Sequence, residues 1–225
     1  MSRVIIVVDA QAELVGTPTT MQSVEAIKDA IASSTSAKFT AEVITSTDFA
    51  QTILPLAQEI ICCPLTLNLP DTLPFWGQNI FPACRNLKSL RQQVQQLGYK
   101  AGNTQAIKSL YLPIVLTAKG PLYGEVIAQA KTTQYQQPLD LPDQQRQPLY
   151  HLAYQLLQAL SAPPSVYLLQ FGYEGEEIIF SRLLPFPDLP ALASISVQEP
   201  NLFTCYWRCL TNQPILDLTI LPKSA

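Results

Sequence analysis

The segment Tyr111 to Val126, YLPIVLTAKGPLYGEV, decides how the rest of the chain is read. Its first half is an apolar run rich in β-formers, its middle is punctuated by Gly120, Pro121 and Gly124, and its end re-enters an apolar run at Val126. That is a strand, a turn and a second strand. A glycine-containing turn such as residues 120 to 124 can cradle an anion through its backbone N–H groups. A plain β-hairpin turn is the other reading of the same residues.

Upstream, Val4–Val8 (VIIVV) is a short β-branched run of the kind that is buried on both faces of a parallel sheet. A loop with Gly16 and Pro18 leads into MQSVEAIKDAIASS, where Val24, Ile27 and Ile31 recur at helical spacing. Phe39–Ile44 reads as a second strand, Thr47–Leu56 as a short helix capped by Thr47 or Asp48, and Glu59–Cys62 as a third strand. This alternation predicts a small parallel sheet. From Cys63 to Phe81 the text is dense in proline and almost free of charge, so it is expected to cross between lobes as extended chain rather than as helix. Burial of Phe75 and Trp76 against the neighbouring lobe is favoured over exposure.

Asn86–Leu97 forms an amphipathic helix with Leu87, Leu90, Val94 and Leu97 on one face and Gly98 as its stop. Beyond the opening segment, KTTQYQQPLDLPDQQRQ reads as a polar connector into a helix with Pro148 at its first position and Leu152, Leu156, Leu157 and Leu160 on its buried face. Val166–Phe171 and Ile178–Leu184 flank a turn at Gly172–Glu177 and make a hairpin. The tract Leu183–Phe203 is too apolar for a disordered linker and too rich in proline for a central strand; it wraps the core or presents Phe186, Leu189 and Leu192 to a partner. Leu202–Cys209 and Ile215–Leu221 read as two further short strands. The fold class expected is therefore α/β, with a small parallel-sheet lobe at residues 1–84 followed by an α+β lobe with antiparallel hairpins at residues 85–225.

Composition narrows the functions. With 225 residues the chain can bury a substantial core; 48% of them are hydrophobic and only 14% charged, so its surface is poor in charge. Charge depletion accompanies interface cores, which points to a protein partner; a Gln-rich compositional bias is the other reading. A net charge of -3 argues against nucleic acid, which is bound mainly by lysines and arginines. No run approaches the roughly 18 to 20 apolar residues that span a bilayer, so membrane insertion is not expected and a cytoplasmic location is. Cys62, Cys63, Cys84, Cys205 and Cys209 have no disulfide-framework or C-x-x-C spacing and read as reduced, buried thiols. His151, the single histidine, excludes a multi-histidine metal site and reads as structural or surface. Glu174, Glu176 and Glu177 read as a solvated hairpin tip, and Asp140, Asp143 and Arg146 as solvated connector.

The order of these segments resembles the ATP-grasp superfamily of ATP-dependent carboxylate-amine ligases. There, a small α/β domain precedes a helix ending in Gly, as Asn86–Gly98 does, and a strand with a pattern like P-x-V-x-K is followed by a Gly-rich loop over the phosphates. Pro113–Leu116 is similar to that strand, Lys119, Gly120 and Gly124 to that loop, and the Val166–Phe171 and Ile178–Pro185 pair to the hairpin that bears the metal ligands. The departures fall on the chemistry the resemblance implies. Thr117 stands where the family has its phosphate-binding lysine, Gln170 where a metal-ligand Asp is expected, and Arg182-Leu183-Leu184-Pro185 where a Glu and an Asn hold Mg²⁺. Strands that supply the family's adenine-contacting hinge have no counterpart between Val126 and Arg146.

The function expected is that of a non-catalytic binding protein on a degenerate ATP-grasp-like fold. It acts through an assembly or regulatory partner, needs no cofactor, and retains at most a residual nucleotide or anion site at Lys119, Gly120 and Gly124. The alternative is a short-form ATP-dependent ligase using ATP with Mg²⁺, in which Lys119 contacts phosphate and Glu174, Glu176 or Glu177 supplies the metal site.

Overall fold

The computed structural model describes residues 2–9, 18–34, 39–52, 60–71, 75–103, 109–131 and 134–222. Strand β1 (Ser2–Val8) lies between β2 (Phe39–Thr45) and β3 (Ile60–Pro64), parallel to both. Its Val4–Val8 side chains are buried, as a central strand covered on both faces requires. Helix α1 (Pro18–Ala32) connects β1 to β2 and buries Val24, Ile27 and Ile31; α2 (Ser46–Thr52) follows β2. The cap of α2 is Thr45, whose Oγ1 accepts the Asp48 N–H at 3.1 Å, not Thr47 or Asp48. The rest of the expected 47–56 helix lies outside the described residues.

After β3 the chain is extended through Pro70, but a short helix, α3 (Ile80–Arg85), contains Pro82. Pro82 sits in the first turn, where the missing N–H would have had no helical acceptor, so the expectation of no helix gives way there. Phe75 packs edge-on against Phe81, which stacks on buried Phe186. Trp76, by contrast, is 61% exposed, correcting its expected burial. Helix α4 (Leu87–Gln96) is capped by Asn86 accepting the Ser89 N–H at 3.1 Å, and it stops where Gly98 takes a φ of +88°.

The larger sheet has seven strands. Strands β4 (Lys100–Ala101), β5 (Leu110–Thr117), β6 (Gly120–Tyr123), β7 (Val126–Lys131), β8 (Gln134–Leu139), β9 (Ser165–Glu174) and β10 (Glu177–Leu184) run in the spatial order β4-β10-β9-β5-β7-β8, with β6 added to β5. The text read as a polar connector thus holds the end of β7, all of β8 and the start of a helix, and the expectation of no paired strands between Val126 and Arg146 is corrected by the antiparallel β7/β8 pair. Strand β8 escaped notice because its inward position is held by Gln137. That buried amide donates to the Glu125 carbonyl at 3.0 Å and to Gln198 Oε1 at 3.1 Å, and Pro138 is tolerated because β8 is an edge strand.

Pro113 sits inside β5 and has no N–H to give. On the side away from β9, the neighbouring chain is correspondingly split: β6 pairs with Ile114–Thr117, β7 pairs with Leu110 and Tyr111, and between them the Gly124 N–H donates to the Pro113 carbonyl at 2.9 Å. A side chain at Gly124 would meet Pro113 Cβ and Gln198 Oε1, both at 3.2 Å.

Helix α5 (Asp143–Ala159) begins five residues before Pro148, which is therefore inside the helix rather than at its first position. Strands β9 and β10 make the expected hairpin, longer than the sequence suggested, around a two-residue turn at Gly175–Glu176. A 3₁₀ helix (Leu189–Ser194) and β11 (Gln198–Glu199) lead to α6 (Leu202–Leu210), and β12 (Thr219–Ile220) pairs with β11. Helix α6 replaces an expected strand. Its aromatic and Cys content favours β by propensity, but Asn201 accepts the Thr204 N–H at 2.9 Å as an N-cap, and Leu202, Phe203, Tyr206 and Trp207 fall on one buried helical face. The tract before it wraps the core, with Phe186 buried and Leu189 and Leu192 half-buried.

Gly124→Ala is expected to lower stability by about 1–3 kcal/mol, because both groups the new methyl meets are held, one in a strand and one by hydrogen bonds. Urea unfolding with an unchanged m-value is the check; an unaltered midpoint would show that the β6–β7 crossing yields.

Candidate functional site

Lys119 and Gly120 lie together in the β5/β6 turn. Thr117 pairs with Gly120 across Ala118 and Lys119, and its hydroxyl donates to the Gly120 carbonyl at 2.8 Å while accepting the Lys119 N–H at 3.1 Å. Gly120 supplies the positive φ, +125°, that closes the turn. Gly124 is not with them: it is buried four residues on, its N–H already given to Pro113. The Lys119 ammonium is exposed and has no ion pair or hydrogen bond among the described residues.

Two depressions flank this turn and share Thr117, Ala118, Lys119 and Pro164. One, of about 230 Å³, is completed by Arg208, Cys209 and the segment Asn212–Leu216. The other, of about 560 Å³, is completed by Tyr154, Leu157, Gln158 and Ala162. Around them Tyr154 is 49% and Leu216 82% exposed, and the exposed Trp76 donates its indole N–H to the Pro164 carbonyl at 3.4 Å.

A second constellation lies at the other end of β5. Tyr111, Gln170 and Arg182 stand in one row across β5, β9 and β10. The register of β10 shifts between Phe180 and Arg182, and the carbonyl of the intervening Ser181 accepts the Arg91 Nε–H at 3.0 Å. Gln170 donates to Ser109 Oγ at 3.2 Å, and the Tyr111 and Tyr135 rings meet edge-on at 5.8 Å between centroids. Burial raises the Asp188 carboxyl above its ordinary range, while the Leu189 N–H and the Arg182 charge oppose that shift. Burial, followed by Tyr135 and Asp188, likewise raises the Tyr111 phenol, with Arg182 pulling the other way.

The two constellations are separate. Leu116 opposes Ser165 and Tyr111 opposes Gln170, so at about 3.3 Å per residue the Lys119 turn is about 20 Å from the Gln170 row. The carboxylates at the hairpin tip are farther still. Glu174 and Glu177 bind Lys100 Nζ at 3.2 and 2.5 Å, and no phosphate group in contact with Lys119 reaches them. The residues offered for a short-form ligase are therefore not brought into one site.

Nor does the Gln170 row fit magnesium. Mg²⁺ takes oxygen ligands, above all carboxylates, whereas this row offers an amide, a phenol and a guanidinium that stays charged at any physiological pH. Among the described residues no group of three or more His, Cys, Asp or Glu side chains can hold a metal. His151 is exposed on α5. The five cysteines are free; burial pushes the Cys84 and Cys209 thiols up to about 12 and raises Cys62, Cys63 and Cys205 as well. Such thiols are poor nucleophiles and ligands.

Arg208 and Asn212 were not anticipated, because α6 was read as a strand. The Asn201 cap followed by a helical apolar repeat is the signal that finds them. Tyr135 was hidden in the same way inside the supposed connector.

No protein-family model and no curated protein matches the sequence. Solved structures match its fold. A glycinamide-RNase-transformylase T from Mycobacterium tuberculosis superposes with a TM-score of 0.71 at 14% identity, over 97% of this chain and 82% of that one. An N5-carboxyaminoimidazole ribonucleotide synthetase from Thermotoga maritima gives 0.70 at 10% identity, over 96% and 78%. An N5-carboxyaminoimidazole synthetase from Staphylococcus aureus, complexed with ADP, gives 0.72 at 8% identity, over 97% and 80%. The fold is ATP-grasp-like, a mixed α/β architecture of a parallel three-stranded sheet and a larger mixed sheet. No helix among the described residues is long and apolar enough to cross a membrane.

The thiol environment gives a direct check. At pH 8 the native protein is expected to react with a disulfide reagent at least about tenfold more slowly than the same protein in denaturant, where all five thiols titrate. Rapid release from the native state would show an accessible thiolate and restore a redox or metal role.

Proposed function

We propose that this chain is a non-catalytic binding protein that uses an ATP-grasp-like fold as a scaffold for protein–protein interaction. The observation that carries the reading is the pairing of Arg182 with Gln170 across β9 and β10. Where the resemblance places anionic ligands for Mg²⁺, this chain holds a permanent cation opposite a neutral amide. Phosphoryl transfer depends on metal and cationic clamps gathered at one place, and here the Lys119 turn and the Gln170 row are about 20 Å apart along the strands. The exposed side chains support a protein partner. Trp76, Tyr154 and Leu216 surround Pro164 on the surface of a charge-poor protein, and aromatic residues are enriched where interfaces form. Lys119 and Gly120, adjacent in the β5/β6 turn, remain the proposed residual anion site.

One observation favours the ligase alternative: the neighbouring folds include a synthetase complexed with ADP. The two readings part on metal and nucleotide. A ligand at about a hundred times its dissociation constant adds about 2.7 kcal/mol, which moves the midpoint of a domain this size by about 5–10 °C. For the metal-stripped protein, excess MgATP is expected to move the midpoint by less than about 1 °C. A magnesium-dependent rise of several degrees, or turnover of ATP with an acid and an amine, would overturn the non-catalytic reading.

The converse substitution is also informative. Replacing Gln170 by Asp and Arg182 by Glu puts two carboxylates opposite each other, and the double variant is expected to bind Mn²⁺ at least about tenfold more tightly than the parent in an EPR titration. Equal Mn²⁺ affinity in parent and variant would show that this row is not what keeps metal out.

A further inference from the structure

We propose that the cleft between Lys119 and Arg208 is a docking site for an acidic peptide segment with apolar flanks, presented by a protein partner; this rests on the protein-binding reading above. The cleft joins the β5/β6 turn to the C-terminal end of α6 and the residues after it. Its two charged side chains are both cations, and no Asp or Glu lines it.

Those cations are not engaged elsewhere. Arg3 pairs with Glu42, Arg85 with Asp71, Lys100 with Glu174 and Glu177, and Arg146 with Glu125, Asp140 and Asp143, while Arg91 donates to the Ser181 carbonyl. The Lys119 and Arg208 side chains have neither an ion pair nor a hydrogen bond among the described residues. On a chain of net charge -3, two uncommitted cations in one cleft form a local positive site on an otherwise weakly charged surface. The side chain of Asn212, also without a partner among the described residues, offers both a donor and an acceptor beside them, as a peptide backbone requires.

The apolar part of the cleft selects a peptide over a small anion. Pro164 and Ile215 line it, Leu216 at its rim is 82% exposed, and beyond the Lys119 turn a second depression continues past Tyr154. An inorganic phosphate would satisfy the two cations and leave Leu216 and Tyr154 in water. An extended segment with a carboxylate over the turn and apolar side chains on either side covers both. The cations then contribute steering and register, and the apolar contacts hold the complex.

The test uses the full chain, ¹⁵N-labelled, and three fluorescent peptides of one length: leucines interleaved with Asp and Glu, the same peptide with Asn and Gln, and the same with Lys. Inorganic phosphate and magnesium-free ATP are the small-anion probes. The acidic peptide is expected to bind at least about tenfold more tightly than the other two, to shift the amides of residues 117–120 and 212–216, and to weaken steeply with salt. Lys119→Glu and Arg208→Glu are each expected to weaken it about tenfold or more, and Leu216→Ser to weaken it without changing the salt dependence. Lys119→Gln, a change at an exposed turn, guards against misfolding and is expected to give an intermediate loss at an unchanged thermal midpoint. No binding of the acidic peptide, equal binding of its amide counterpart, or saturation of the same amides by phosphate alone would each overturn the docking site. Acidic-peptide binding that survives both charge reversals would move the partner to another face and leave the protein-binding reading standing. That reading falls instead with a magnesium-dependent rise of the thermal midpoint or with ATP turnover.

Discussion

The packing of α6 between the two sheets is the constraint on which the rest depends. The helix contacts β5 and β9 of the larger sheet, β3 of the smaller one, and α1. Tyr206 sends its hydroxyl to the Pro64 carbonyl at 3.0 Å, Trp207 meets the Phe39 ring edge-on at 4.9 Å, and the Cys209 thiol is 3.8 Å from the Leu116 carbonyl. The Trp207 indole N–H has no hydrogen-bond partner among the described residues, a cost of about 1–3 kcal/mol. Burying the indole removes about 150–250 Å² from water, which at about 25 cal/mol per Å² stabilises by about 4–6 kcal/mol. Area wins, so the aromatic face stays inside and the polar edge of the helix, with Arg208, is turned to the cleft beside Lys119.

A single proline sets the geometry around that cleft. Because Pro113 cannot donate, the chain that would have run alongside β5 as one strand is divided into β6 and β7, and Gly124 lets the crossing come near without pushing Pro113 and Gln198 aside. The division leaves β6 as a short strand that starts at the Lys119 turn and pairs with the Ile114–Thr117 half of β5, away from the Tyr111 end that carries the Gln170 row.

Where local and tertiary signals agree, the sequence is legible. VIIVV is buried on both faces, Asn86–Gly98 has its cap and its stop, and the β9/β10 hairpin has Gly175 at a φ of +63° in its turn. The misreadings share one cause, a residue doing inside the protein what its type does outside. Gln137 occupies an inward strand position because its amide NH₂ donates to the Glu125 carbonyl and to Gln198 Oε1, the latter 61 residues away in sequence. Pro148 lies within α5 and Pro82 within the first turn of α3, positions that composition alone scores as breaks. In the Leu202–Leu210 segment, β-favouring aromatics follow a helical repeat, and burial against two sheets overrides propensity. The depressions flanking Lys119 were half legible: the turn could be read, but Arg208, Asn212 and Tyr154 come from elements that only the tertiary fold brings beside it.

The distribution of charge links these observations. With 14 cations against 17 anions, a folded chain can pair nearly all of its arginines, and most of those described are paired or hydrogen-bonded. Arg182 is held among Tyr111, Gln170 and Asp188, in a half-buried row where a guanidinium disfavours a second cation. Arg208 and Lys119 are placed differently, at an accessible cleft with an apolar rim. Exposed pairs contribute only about 0–1 kcal/mol to stability, so leaving these two unpaired costs the fold little. The same two charges, kept uncommitted beside Leu216 and Tyr154, can orient an anionic partner without first breaking an internal bond.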